Sequence, residues 1–205
     1  MTIKFPSTSP TVNKIRDAAV YHFSRQGYRE TSLREIAETV GVQVGSLYNH
    51  ISSKEDLLFT IMHDIMLELL ASCREAMEAA SPEPGEQILA FMQSSIGFHG
   101  ERTEETFIGN TNLRALSPER RAVIVALRDE YELLLRTPLE RAHNAGALTI
   151  PDVQMATFAG VALCSHVATW YSSGQRLILE EVQRLLPMAF APVAQHLLAS
   201  GKATP

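Results

Sequence analysis

Cysteine is scarce in this chain, and long apolar runs are missing. Its two cysteines, Cys73 and Cys164, stand far apart with no partner motif. That is the usage of buried or idle thiols in a reducing compartment, not of a disulfide framework. No apolar stretch approaches the roughly 18 residues needed to span a bilayer. Residues 1–12 are polar and hold no apolar core, so neither a membrane segment nor a signal peptide is expected and the expected location is cytoplasmic. An excess of positive charge is lacking too, since the net charge is −5, which argues against a protein coated with nucleic acid over its whole surface. There is no glycine-rich phosphate loop, no G-x-S-x-G elbow and no H-E-x-x-H pair. Catalytic residues, metal ligands and cofactors are therefore all assigned as none. His63, Asp64 and Glu68 lie close together in sequence, but without a cysteine cluster or a second histidine at i+4 they read as a solvated or interdomain face. Internal repeats, low-complexity tracts and β-type alternation are also missing.

What is present is helical periodicity and an uneven distribution of charge. Residues 1–54 carry seven positive side chains (Lys4, Lys14, Arg16, Arg25, Arg29, Arg34, Lys54) against four negative ones (Asp17, Glu30, Glu35, Glu38). The remainder carries eleven positives and nineteen negatives. A basic head on an acidic body suits a protein that meets phosphate at one end only. Residues 1–10, with Pro6 and Pro10, read as a flexible lead-in. Ile15, Ala18, Ala19, Val20 and Phe23 form the buried face of a helix over 11–26 that Gly27 stops. A long helix is predicted from Lys54 to about Ala80, with Ser52 or Ser53 as its cap. Its face is Leu57, Leu58, Ile61, Ile65, Leu69 and Met77, and Glu55 and Asp56 in the first turn complement the helix dipole. Pro82, Pro84 and Gly85 make the clearest break. Beyond it the pattern predicts helices at 85–99, 103–115, 118–145, 152–173 and 178–198, with a kink at Pro138 and a stop at Gly146.

The stretch from Thr31 to Lys54 is the most informative. Thr31 or Ser32 caps a short helix, with Glu35 at capping-box spacing behind Ser32. Ile36, Ala37 and Val40 give it an apolar face, and Gly41 supplies the positive φ that ends it. Leu47 and Ile51 repeat the apolar face four residues apart, which leaves Ser46, Asn49 and His50 to the other side. Two short helices around a glycine turn are the layout of a helix-turn-helix, whose second helix reads base edges in the major groove.

These residues, together with Gly27-Tyr28, Gly41-Val42, Gly45, Leu47-Tyr48, His50, Lys54 and Leu57-Leu58, make the chain resemble the TetR family of bacterial transcriptional regulators over about residues 14–62. The resemblance implies an all-α fold in which an N-terminal three-helix helix-turn-helix domain precedes a larger helical ligand-binding and dimerisation domain. The expected boundaries are 1–53 for the DNA-binding domain, 54–80 for a connecting helix and 81–205 for the body. The implied base contacts are Arg34, Gln43, Val44, Gly45, Ser46 and Asn49, and the implied phosphate contacts are Ser32, Tyr48, His50 and Lys54. Asn49 and Gln43 carry amides that can pair with adenine, and Val44 can meet a thymine methyl.

The implied partners are a double-stranded DNA operator, a small-molecule inducer and a second copy of the chain, with no membrane. Expected dimer contacts are Phe158, Val161, Val167, Leu186, Phe190, Val193 and Leu197. The expected pocket draws its apolar lining from Phe91, Phe98, Phe107, Tyr131, Leu135 and Trp170, and its polar groups from His99, Asn110, Arg114, Arg128 and His166. Asn112-Leu113-Arg114, Ser117–Arg121 and Trp170–Gly174 followed by Leu177 and Glu180-Glu181 are similar to a subgroup whose members govern catabolic genes and answer to acyl-CoA thioesters. In that setting Arg114, Arg120, Arg121 or Arg128 would either meet CoA phosphates or form surface salt bridges. Two other assignments compete with a ligand-released repressor: a helical enzyme acting on acyl-CoA-like substrates, and a ligand-free architectural DNA-binding protein.

Overall fold

The computed structural model describes residues 10–172 and 176–201. The lead-in at 1–9 and Ser173-Gly174 lie outside the described residues, as does the side chain of Leu197. The chain is all-α, with α1 Pro10–Arg25, α2 Leu33–Val40, α3 Val44–Leu47, α4 Lys54–Ala79, α5 Pro84–Glu101, α6 Thr103–Thr111, α7 Pro118–Asn144, α8 Val153–Trp170, α9 Leu179–Leu185 and α10 Ala191–Ala199. Single 3-10 turns follow α6 (Leu113–Ala115) and α9 (Pro187–Ala189). Among the described residues no helix is long and apolar enough to cross a membrane.

The chain packs as two units. The first comprises the chain up to Ile65 together with Glu104–Ile124. Its core joins Ile15, Ala19 and Phe23 of α1, Ile36 and Ala37 of α2, Leu47 of α3, and Leu57, Leu58 and Ile61 of α4. Ile108, Leu116 and Ile124 belong to the same cluster. The boundaries expected from the sequence put residues 104–124 in the body and make α4 a separate connector. Packing instead divides α4 after Ile65 and returns 104–124 to the head. The cause is burial, since Ile108 and Ile124 are fully covered, and each such side chain contributes roughly 1.5–3 kcal/mol. Ion pairs reinforce the join at Arg16–Glu105 (4.0 Å) and Arg25–Glu104 (3.7 Å).

The second unit, Met66–Thr103 with the chain from Val125 onward, is built around α5, which contacts α8, α9 and α10. Ile88, Phe91, Met92 and Ile96 of α5 meet Leu69, Leu70 and Cys73 of α4, Tyr131, Leu135 and Leu139 of α7, and Cys164 and Val167 of α8. Pro138 lies buried within an unbroken α7, and Gly146 follows that helix with φ +68°.

Two expected helices are interrupted. The 178–198 segment divides into α9, the Pro187–Ala189 turn and α10. Pro187 and Pro192 have no N–H to offer an i−4 carbonyl, and Phe190 is extended between them (φ −84°, ψ 114°). The 103–115 helix stops at Thr111, where Asn112 Nδ2 donates to the Ile108 carbonyl at 3.1 Å and caps the helix end.

Candidate nucleic-acid interface

Local chemistry sets up the head before any tertiary contact does. The Glu35 N–H donates to Ser32 Oγ (3.2 Å), and the Ser32 N–H donates to Glu35 Oε2 (2.7 Å), which completes the capping box at the start of α2. Those bonds from the Ser32 main chain and hydroxyl hold the Glu35 carboxyl below the usual carboxylate range. At the other end Gly41 takes φ +77°, and the N–H of Val42 donates to the Ala37 carbonyl at 3.0 Å. An L side chain at that φ would be strained, so glycine fixes the angle at which α3 leaves α2. Ser53, not Ser52, caps α4, its Oγ accepting from the Asp56 N–H at 3.0 Å.

Leu47 and Ile51 are buried and anchor α3, whose helical turn continues through His50 N–H to Leu47 O (2.8 Å) and Ile51 N–H to Leu47 O (3.0 Å). The expected base-reading residues fall on the other side. Gln43, Gly45, Ser46 and Asn49 are exposed and Val44 is half-buried. Gln43 is the N-cap of α3, and its amide makes no capping bond. Arg34 is exposed on α2, with its Nε donating to Glu38 Oε1 at 2.9 Å.

Of the expected phosphate contacts, Tyr48 is 57% exposed and His50 is exposed. Ser32 Oγ lies 2.8 Å from Glu35 Oε2 and is engaged within the capping box. Lys54 is engaged within the head. Its ammonium donates to the carbonyls of Thr31 (2.8 Å), Tyr28 (2.9 Å) and Arg29 (3.2 Å) and lies 4.6 Å from the centre of the Tyr28 ring. It therefore ties the α1–α2 connection to the start of α4.

Sequence reasoning missed the support beneath the second helix. Asp56 accepts from the Ser52 N–H (3.2 Å) and from Arg120 Nη2 (2.6 Å). Glu55 accepts from the Ser117 N–H at 2.8 Å, and the Arg120 guanidinium covers the Phe59 ring at 5.3 Å. Arg120, a candidate for CoA phosphate, is thus committed to ion pairs inside the head. Nothing local in the sequence marks the contacts made by Ser117 and Arg120, whose partners are more than sixty residues away.

In the second unit the structure gathers Phe91, Phe98, His99, Tyr131 and Leu135 of the expected pocket. The Phe91 and Tyr131 rings are 5.0 Å apart, and His99 and Tyr131 are 6.4 Å apart. Ser95, which sequence reasoning missed, hydrogen-bonds the Tyr131 hydroxyl. It lies one helical turn from both Phe91 and His99, so periodicity could have found it. Burial pulls the His99 imidazole down to about 4 and pushes the Cys73 and Cys164 thiols up to about 12. At neutral pH these groups are uncharged. Arg128 is half-buried, and burial lowers its pKa against the opposing effect of Glu132.

The other pocket candidates are placed elsewhere. Phe107, Asn110 and Arg114 belong to the first unit, where Phe107 is 42% exposed and the other two are exposed. His166 and Trp170 are exposed on α8. The expected solvated trio separates, with His63 beside Asp64 (3.6 Å) and Glu68 paired with Arg102 (3.2 Å). An open groove of about 430 Å³ lies beside Arg74, Met77, Gln87, Leu134 and Arg141.

The expected dimer residues also divide. Val167, Phe190 and Val193 are buried in the chain's own core, because an apolar period does not specify which partner covers it. Val161 and Leu186 are half-buried against that core, and Phe158 is exposed. Around Phe158, α8 leaves Met155, Ala159, Ala162 and Trp170 exposed as well. These spacings form one helical stripe.

Residues 15–61 match the family model for bacterial regulatory proteins of the tetR family, and residues 81–189 match the tetracyclin repressor-like C-terminal domain. The chain belongs to the TetR family of transcriptional regulators, whose helix-turn-helix binds DNA. Among its relatives, the HTH-type transcriptional repressor KstR2 of Rhodococcus jostii (strain RHA1) is 36% identical over 174 residues, which cover 83% of this chain and 84% of that protein. A regulatory protein of the tetR family from Rhodococcus RHA1 superposes with a TM-score of 0.82 at 26% identity, over 91% of this chain and 98% of the other. AibR, solved in complex with isovaleryl coenzyme A and operator DNA, superposes with a TM-score of 0.79 at 26% identity, over 89% of this chain and 99% of the other.

Proposed function

We propose that this protein is a homodimeric repressor that binds a palindromic operator through α3 and is released by a small-molecule inducer, an acyl-CoA thioester. The single observation that carries the DNA reading is the polar edge Gln43, Ser46 and Asn49, exposed on and immediately beside the short helix α3, in a segment locked into the core by Leu47 and Ile51. The repressor and inducer readings draw support from the relative named as a repressor and from the neighbour solved with isovaleryl coenzyme A. The acyl chain would be taken by the α5–α7 region around Phe91, Phe98, His99, Tyr131 and Leu135. Thermal denaturation against a panel of CoA thioesters, free acids and free CoA tests it. A thioester at one hundred times its Kd stabilises the native state by about 2.7 kcal/mol, and the same thioester should release operator DNA. Stabilisation by none of the thioesters would overturn the inducer class.

The second copy would dock on the α8 stripe. Ala159 and Ala162 let two helices approach closely between the larger Met155, Phe158 and Trp170. A two-fold pair presents two heads to half-sites about one duplex turn, roughly 34 Å, or a multiple apart. Phe158→Arg should convert the dimer to a monomer in sedimentation experiments and lower operator affinity at least tenfold. Because Phe158 is exposed in the single chain, the melting temperature of the isolated protomer should hardly change. A dimer that persists at micromolar concentration would remove α8 from the interface.

A further inference from the structure

The side chains under which DNA would pass are unusual in what they lack. Residues 35–53 contain no lysine and no arginine, so α3 and its flanks bring no guanidinium or ammonium to a base edge. Arg34, just outside this run, lies on α2 with its Nε held by Glu38. Lys54, just beyond it, is turned to three main-chain carbonyls. The groups that α3 and the residues flanking it expose are the amides of Gln43 and Asn49, the hydroxyls of Ser46 and Tyr48 and the His50 ring, with Val44 half-exposed beside them. Asn49 lies in the turn that follows α3, exposed between Leu47 and Ile51, the two buried side chains that anchor this segment in the core. Gln43 precedes the helix with its amide uncommitted.

In the major groove, guanine presents two acceptors, N7 and O6, which call for a two-donor fork such as arginine. Adenine presents one acceptor, N7, and one donor, N6, which match the donor and acceptor of a single carboxamide. We propose that the base pairs read by α3 in each operator half-site are A·T pairs, with adenines held through N6 and N7 by Asn49 and Gln43, and that no guanine anchors the half-site beneath this helix. The half-exposed methyls of Val44 suit a neighbouring thymine methyl. This inference rests on the DNA-binding reading above and specifies the partner sequence that reading leaves open.

Selection from a random duplex library with the full-length protein tests it, repeated with Gln43→Ala and Asn49→Ala. Both side chains are exposed, so both variants should melt with the parent protein. The parent should enrich an inverted repeat, and the positions whose preference relaxes in the two variants should be adenine in the parent. Replacing the adenine read by Asn49 with 7-deazaadenine, which removes N7, should weaken binding of the parent roughly tenfold and leave the Asn49→Ala affinity unchanged. An enriched site with guanine or cytosine at the relaxed positions overturns the A·T assignment and leaves the regulator reading standing. Preferences that neither variant relaxes also overturn it. Failure to enrich any sequence overturns the DNA-binding reading itself.

Discussion

Between pH 7 and pH 4 the second unit should lose about 3 kcal/mol of stability through one side chain, His99. Its imidazole is buried beside Tyr131 and the edge of Phe98, and burial lowers its pKa from 6.5 to about 4. In the unfolded chain the ring takes up a proton as pH falls through about 6.5, whereas the folded protein resists that proton until about pH 4. The unfolded state therefore binds more protons throughout this window, and stability falls as pH falls. The contribution is fully present above pH 6.5. At 1.36 kcal/mol per pKa unit, the total is about 3 kcal/mol. Urea unfolding of the parent protein and of His99→Phe at intervals from pH 7.5 to 4 measures it. The variant should show a shallower acid slope over this window. Equal slopes would mean that His99 is protonated in the fold without penalty.

Lys54→Ala should lower the stability of the head by about 2 kcal/mol while barely altering the salt dependence of DNA binding. Hydrogen bonds to a charged group contribute roughly 1.5–3 kcal/mol each. The ammonium of Lys54 serves three carbonyls, but the side chain is only half-buried, so water replaces part of what is lost. Lys54→Met keeps the stem over the Tyr28 ring and should fall between parent and alanine variant. A phosphate ligand behaves differently, because its removal lowers the slope of log K against log salt by about 0.9. A drop of that size with an unchanged melting curve would return Lys54 to the phosphate contacts.

Much of the head was legible because its determinants are local. The Ser32–Glu35 box, the positive φ of Gly41 and the Leu47–Ile51 repeat each lie within a few residues. The second unit was less legible for a physical reason. Val167, Phe190 and Val193 show the same apolar period whether a helix of the same chain or of a second copy covers them, and here the same chain does so. Pro187 and Pro192 carried a readable signal that the 178–198 segment would not run as one helix. The engagement of Lys54 had no such signal, since the carbonyls it binds lie more than twenty residues upstream. Neither did the return of Glu104–Ile124 to the head, which rests on long-range burial of Ile108, Leu116 and Ile124.

That return has a consequence for anyone wishing to transplant the reading head onto another regulator. A single crossover near Ile65 would carry α1 to α3 away from Ile108, Leu116 and Ile124, which share their buried cluster, along with Arg120, the counterion of Asp56. Such chimeras should be poorly soluble. Those that exchange Glu104–Ile124 from the same parent should fold, because the portable piece is two segments inherited together.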